Sequence, residues 1–327
     1  MSRISSYQAA ALMLCFTVAR LIAYRPEGDS LVMAAAAELL ACLGMFLVSI
    51  PLSKLPSAGG FGGRVMSFAA AGYCLFALTL ILADFADAMQ YSFPGFYSPG
   101  AIILALAAAA AYSASMGLQG CARAACAAVI LALLTFALMT LGACEGIDPE
   151  RLNIAVPDRG GQLSRQLTGA FARSAELPML LILMRRRTAK PIRAAAVYFA
   201  VRALLWCVTL ALCASVLGEL GGVGEPFWSL AAFAKTSVVE RFDALVMLFW
   251  TLCTLLSAAA LLICFGERLS ELLPGLSKYA PAAVILPAVT AYGLIYAGFS
   301  RPAAVIPAAA SGIGAAAASF CHRRSRV

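Results

Sequence analysis

Long apolar stretches with almost no charged residue recur along the whole chain, and they limit its possible folds more than any other feature. A helix needs about 20 residues to cross the hydrocarbon layer of a membrane. Ten stretches are of about that length: 7–24, 31–51, 65–89, 98–116, 121–141, 163–184, 192–217, 244–265, 279–299 and 302–320. The composition agrees, because 62% of the residues are hydrophobic and 12% charged, against roughly 45–50% and about 25% in soluble domains. The sequence therefore predicts an all-α polytopic membrane protein with about ten transmembrane helices.

Lysine and arginine residues are unequally shared between successive loops, which predicts the orientation. If the N-terminus is cytoplasmic, fourteen of them fall in cytoplasmic connections and five on the opposite side, with the basic run 185–193 as the strongest anchor. Basic residues favour the cytoplasmic side, so both termini are predicted to be cytoplasmic. The first stretch lacks a convincing cleavage site before Arg20 and is interpreted as a span rather than a signal peptide. The net charge of +8 follows from this topology, and we expect no nucleic-acid partner.

The even number of spans and the long loop in the middle of the chain predict two related halves. Because five is odd, a second group of five helices would enter the membrane in the opposite orientation, as in a 5+5 inverted-repeat transporter fold. In such folds the site lies near the midplane between broken helices, here the first and the sixth. We predict four segments: a first repeat at 1–143, an outer loop at 144–162, a second repeat at 163–321 and a cytoplasmic tail at 322–327.

The sixth span carries polar residues where a continuous apolar helix is expected. It contains Arg173, Ser174, Ala175 and Glu176, followed by Pro178. An ionised group at membrane depth costs roughly 2.5–3.5 kcal/mol on insertion scales, and proline removes a helix hydrogen bond. One interpretation is a proline kink at which Arg173 and Glu176 neutralise each other. The other is a substrate or proton site.

Polar residues in the first three spans are further candidates. Thr17 and Arg20 interrupt the first span, where the guanidinium either extends to the interface or binds a substrate carboxylate. Glu38 in the second span is a candidate partner for Arg20 and a possible charge or proton site. Asp84 and Asp87 at the outer end of the third span either mark a solvated mouth or carry charge or protons. Arg202 in the seventh span likewise allows either a structural or a functional interpretation. The glycine-rich stretch 218–224 is interpreted as an outer hairpin or linker.

Metal chemistry and catalysis lack their usual side chains. The eleven cysteines are scattered without a Cys-x-x-Cys pair, and the single histidine, His322, lies near the C-terminus. Zinc sites and nucleophile–base pairs depend on such residues in combination. We therefore predict no enzyme activity, no metal and no cofactor.

Four passages carry a resemblance to a known family. They are Ile4-Ser5-Ser6-Tyr7-Gln8 at the start of the first span, Asn153 with Pro157 before Ala175-Glu176, the run 239–245 with Phe249-Trp250, and the link from Gly117 to Arg123. Together they resemble the B-subunit family of endospore germinant receptors. These are the spore-germination permeases of the amino acid/polyamine/organocation superfamily.

The resemblance implies a membrane subunit that senses a small nutrient, such as an amino acid, between broken helices 1 and 6. The place where the family's first helix unwinds aligns with Ala19 and Arg20. The implied substrate-binding residues are Thr17, Ala19, Arg20, Ser174, Ala175 and Glu176. It further implies a location in the spore inner membrane, and as partners a receptor A subunit, a lipid-anchored C subunit, a small-molecule germinant and membrane lipid. The alternative is a stand-alone proton-coupled amino acid or amine transporter, in which Glu176 or Asp84 would carry the proton.

Overall fold

The computed structural model describes residues 4–26, 30–53, 60–93, 95, 97–153, 159–173, 190–218, 225–234 and 242–297. Ten α-helices lie within this part of the chain: α1 Ser6–Ile22, α2 Leu31–Ser53, α3 Gly60–Ser92, α4 Pro99–Ser115, α5 Gly117–Ala143, α6 Arg159–Arg173, α7 Pro191–Leu217, α8 Pro226–Phe233, α9 Asp243–Leu272 and α10 Ile285–Tyr296. Short 3-10 segments follow α5 at Cys144–Gly146 and Pro149–Asn153, and a longer one, Pro274–Val284, precedes α10. The predicted all-α architecture is confirmed.

Six described helical segments are long and apolar enough to cross a membrane. They are Leu31–Pro51, Ser67–Tyr91, Gly117–Gly146, Pro191–Leu217, Asp243–Leu272 and Tyr279–Tyr296. They coincide with six of the predicted spans. The shorter apolar helices α1 and α4 coincide with the first and fourth, α6 covers the start of the sixth, and the tenth lies outside the described residues.

Helix α1 is the central element of the bundle. The Ser5 side chain accepts a hydrogen bond from the Gln8 backbone N–H, and the Gln8 side chain accepts one from the Ser5 N–H. The N-terminal run from Ile4 to Gln8 therefore contains a capping box. Fourteen of the seventeen α1 residues are buried. The helix packs against α5, α7 and α9, and the small residues Ala9 and Ala10 allow the backbones to approach closely.

The other helices form two groups around α1. In one group α2 packs against α6 and α7, and in the other α9 packs against α3 and α4, with α10 on α3. We call the face at which α1 begins the proximal face and the one at which it ends the distal face. On the proximal face the Ser6 hydroxyl donates to the Lys190 carbonyl over 3.1 Å, and the Arg193 guanidinium stacks over the Tyr7 ring. The beginning of α1 is therefore fastened to the beginning of α7.

Three local features differ from the expectations. Helix α1 remains helical through Ile22, so the unwinding expected at Ala19 and Arg20 is absent and the helix ends about one turn later. Helix α6 begins at Arg159, inside the segment predicted as outer loop. Helix α8 was not predicted, because its eight residues are far too few to span a membrane.

Candidate ligand site at the distal end of α1

The last turn of α1 presents a backbone carbonyl to a buried tryptophan. The Ala19 carbonyl accepts a hydrogen bond from the Ala23 N–H at the helix end over 3.4 Å. It also accepts one from the indole Nε1 of Trp250 in α9, over 3.1 Å. Because Trp250 is only 1% exposed, this bond fixes the end of α1 against α9 in a place shielded from water.

Aromatic rings from two more elements surround Trp250. The ring of Phe85 in α3 lies 4.6 Å from it, centroid to centroid. The ring of Trp228 in α8 meets it edge-on at 5.7 Å and 81°. Edge-on and offset contacts of this kind are favourable. The end of α1 is thus walled by rings from α3, α8 and α9.

Two of the predicted site residues share one side of this last part of α1. Thr17 is 1% exposed, and its hydroxyl has no hydrogen-bond partner among the described residues. Arg20 is half-buried and lies three residues later, on the same face of the helix. The structure therefore brings Thr17, Ala19 and Arg20 together at one level of the bundle.

The described part of the sixth span approaches the same end of α1. The Tyr24 hydroxyl lies 3.5 Å from Gln166 Oε1 of α6, and Gln166 is buried. Tyr24 also packs edge-on against Trp206 of α7 at 5.3 Å. Helix α6 is thus adjacent to the end of α1, whereas the predicted site residues Ser174, Ala175 and Glu176 lie outside the described residues.

An ionic cluster closes the distal side of this region. Arg25 Nη1 lies 3.1 Å from Asp87 Oδ2 of α3, and Arg25 Nε lies 2.7 Å from Glu225 Oε1 just before α8. Its guanidinium is 4.3 Å from the centroid of the Tyr91 ring. Glu225 is 3% exposed and Arg25 half-buried. One arginine therefore joins the end of α1 to both α3 and α8.

Asp84 lies one turn deeper in α3 than Asp87. It is half-buried and adjacent in sequence to Phe85, whose ring contacts Trp250. Because Trp250 also bonds to Ala19, Asp84 and Arg20 belong to the same level of the bundle. This level holds a cation, an acid, a free hydroxyl and aromatic rings, a combination that can bind a small polar molecule carrying both charges.

Glu38 belongs to a different part of the bundle. Its Oε2 lies 3.2 Å from Arg202 Nη2 of α7, and the two side chains are 0% and 1% exposed. Arg202 Nη1 also donates to the Tyr198 hydroxyl over 3.1 Å. The expected partner of Glu38 was Arg20, but the structure pairs it with Arg202. This pair connects α2 to α7.

An apolar cleft lies beside the candidate site. Val18 and Ile22 of α1 line it, together with Phe136 of α5, Phe227 of α8 and Phe249 of α9. None of its lining side chains is charged, and the hydroxyl of Thr135, which also lines it, donates to the Leu131 carbonyl, so the cleft suits an apolar ligand better than a charged one. The polar groups of Thr17 and Arg20 make the end of α1 the better candidate.

Sequence reasoning missed three residues that shape this region. Arg25 was counted only as an outer charge, Glu225 only as an outer acid, and Trp228 was not singled out. The available signals in the sequence were Arg25, which directly follows the first span, and Glu225, which directly follows the glycine-rich stretch 218–224. Within the described residues, no group of three His, Cys, Asp or Glu side chains could hold a metal ion.

Comparison with known proteins identifies the class of protein first. Mhp1, a nucleobase-cation-symport-1 family transporter in a closed conformation with bromovinylhydantoin bound, matches with a TM-score of 0.57 and 16% identity. The match covers 100% of this chain and 80% of that chain. The molecule is thus a polytopic membrane protein with the inverted-repeat transporter fold, as predicted.

The family follows from the sequence itself. The model of the spore germination protein family matches residues 57–296, and the chain belongs to that family. The predicted resemblance to spore-germination permeases is confirmed. No curated protein matches the chain.

Proposed function

We propose that this protein is the germinant-sensing membrane subunit of a spore nutrient receptor. It binds a small nutrient, such as an amino acid, at the distal end of α1 against the sixth span. The observation that carries the proposal is the polar face at the end of α1, where the buried Thr17 hydroxyl and the half-buried Arg20 lie one turn apart. The proposal assigns binding and not covalent chemistry, so that the nutrient acts by shifting the equilibrium between conformations.

The binding mode follows from the charges. The Arg20 guanidinium is suited to a carboxylate, because its planar donors match the two oxygens. Asp84 is the proposed partner for an ammonium group, and the Thr17 hydroxyl supplies a neutral polar contact. Glu176 of the sixth span, with Ser174 and Ala175, remains a proposed contributor.

The proposal includes a cellular setting. The subunit works in the spore inner membrane with an A subunit and a lipid-anchored C subunit, and both of its termini are cytoplasmic. Membership of the spore germination protein family supports this setting.

A second candidate function is a stand-alone proton-coupled transporter of an amino acid or amine. The fold shared with Mhp1, itself described as a transporter, favours it. Asp84, Asp87 or the sixth-span Glu176 would carry the proton. The two functions differ in that transport needs no partner subunit.

Spore germination against a panel of amino acids, nucleosides and sugars tests the first function. Deletion of the gene should abolish the response to one nutrient while spores still form. Arg20→Gln should raise the concentration for half-maximal response about tenfold or more, since a charged hydrogen bond is lost. The matched control is Arg123→Gln, because Arg123 is exposed on α5 and its loss should change little.

An unchanged response of the deletion strain to every nutrient would overturn the receptor function. In that case the purified protein in sealed vesicles should take up a panel compound when a proton gradient is imposed. Uptake without partner subunits would establish the transporter instead.

A further inference from the structure

The indole N–H of Trp228 is a buried donor without an acceptor. Its Nε1 atom is shielded from solvent and has no hydrogen-bond partner among the described residues. Buried N–H groups are nearly always paired with protein, water or ligand, because an unpaired one is costly. The position of Trp228 therefore implies an acceptor that is supplied from outside the described residues.

Trp228 lies at the candidate site. Its ring contacts Trp250 edge-on, and the N–H of Trp250 is already occupied by the Ala19 carbonyl. The two indoles thus have different roles, since one holds the end of α1 and the other keeps its donor available. The unpartnered hydroxyl of Thr17, two residues before Ala19, is a second available polar group at this end of α1.

The ionic cluster on the distal face fixes where Trp228 lies. The Glu225 carbonyl accepts the backbone N–H groups of Trp228 and Ser229 over 3.1 and 3.2 Å, so Glu225 begins the first turn of α8. The Glu225 carboxylate is held by Arg25, which is held in turn by Asp87. Arg25 thereby anchors the start of α8 over the end of α1. It also fixes how deeply the Trp228 ring lies in the helix bundle.

We propose that Trp228 contacts the ligand, and that its indole N–H donates to an oxygen acceptor, such as a carboxylate oxygen, of the molecule bound at the distal end of α1. Helix α8 then contributes a ligand-contacting residue, and Arg25 is a positioning residue that holds the start of α8. This inference rests on the proposed function. It adds a third element, beyond the first and sixth spans, to the ligand site.

The test starts from the nutrient whose response is lost on deletion of the gene. Dose–response curves for that nutrient are measured in spores carrying Trp228→Phe, which keeps an aromatic ring but removes the donor. We expect the half-maximal concentration to rise about five- to tenfold, the size of one lost hydrogen bond, with an unchanged maximal rate. Trp228→His, which restores a ring N–H, should recover most of the sensitivity.

The control is Ala232→Ser, at an exposed position of α8, which should leave the half-maximal concentration unchanged. Immunoblots of spore membranes normalise every variant to the amount of protein. A Trp228→Phe response within twofold of wild type, or a Trp228→His response no better than that of Trp228→Phe, would overturn the role of Trp228. If these variants overturn the role of Trp228 but the deletion strain has lost its nutrient response, the proposed function still stands. A deletion that alters no response overturns both.

Discussion

Glu38 and Arg202 form an ion pair buried completely inside a chain with few charged residues. Burying such a pair is costly, and it persists when the charges compensate each other and further hydrogen bonds are made. The Tyr198 hydroxyl supplies one such bond. Because the pair connects α2 to α7, it fixes the lateral and axial position of one helix relative to the other.

Glu38→Gln should therefore destabilise the purified protein in detergent by on the order of 3 kcal/mol, because Arg202 is left as an unpaired buried cation. The double variant Glu38→Leu with Arg202→Leu should recover most of this loss, since no buried charge remains. Thermal unfolding curves give the comparison, and Glu145→Gln, at an exposed position, is the control. The pair has no stabilising role if Glu38→Gln and Glu145→Gln unfold alike.

From the sequence, a candidate site residue can be predicted when it is a polar residue inside an apolar span. Thr17, Arg20, Asp84 and Asp87 stand out for that reason, and all four lie at the distal end of the bundle. Trp228 does not stand out, because a tryptophan near a membrane boundary is common. Its role depends on a contact with Trp250, which is distant in sequence, and no local pattern encodes that contact.

Helix α9 and the 3-10 segment Pro274–Val284 meet at a glycine. A Cβ atom added at Gly266 would lie 2.9 Å from the Cβ of Ala280. Ala280 is 5% exposed, and its Cβ is attached directly to the backbone, so the contact cannot be relieved by a side-chain rotation. The close approach of these two elements requires glycine at position 266.

Gly266→Ala should accordingly lower the stability of the purified protein by about 1–3 kcal/mol, the usual cost of overpacking. Gly293→Ala in α10 is the matched control, because an added Cβ there meets nothing within 4 Å and alanine favours the helix by roughly 0.5–1 kcal/mol. The measurement is thermal unfolding in detergent. Equal effects of the two substitutions would show that α9 and the 3-10 segment are not closely packed at this point.

A helix could be predicted from the sequence when its segment was both long and apolar enough to span the membrane. The spans that became α2, α3, α5, α7 and α9 satisfy both criteria. Helix α8 satisfies neither, because eight residues cannot span the membrane, and its position depends on Arg25. The end of α1 was expected too early, since the Trp250 bond to Ala19 stabilises the last turn and is not visible in the sequence.

At the scale of the whole molecule, the distribution of Lys and Arg predicts the orientation. Reporter fusions after the C-terminal residue should show a cytoplasmic location, with green fluorescence and no alkaline phosphatase activity. Fusions within the 144–162 loop should show the opposite pattern. Replacing the three arginines 185–187 with asparagine should reduce this asymmetry, because positive charge retains a loop on the cytoplasmic side. Phosphatase activity at the C-terminus would reverse the predicted topology.

The overall fold was predictable because its main determinants are global. Ten apolar stretches, an odd number in each half and a central loop imply the inverted repeat without any knowledge of contacts. What the sequence could not provide was the grouping of α2 with α6 and α7, and of α9 with α3 and α4. Such groupings depend on small complementary surfaces between alanine-rich helices, which look alike in sequence.

Helix α9 runs without interruption for thirty residues, from the level of the candidate site to the proximal face. Trp250 touches the end of α1 near its beginning, and Glu271 near its end accepts a hydrogen bond from Ser67 at the proximal end of α3. These two residues are roughly 30 Å apart along the axis at 1.5 Å per residue. An unbroken helix of this length acts as a rigid rod, so a small tilt imposed at Trp250 reappears as a displacement at Glu271. In the proposed receptor function, this helix lets a nutrient bound on one side of the membrane be sensed on the other, with no molecule passing through.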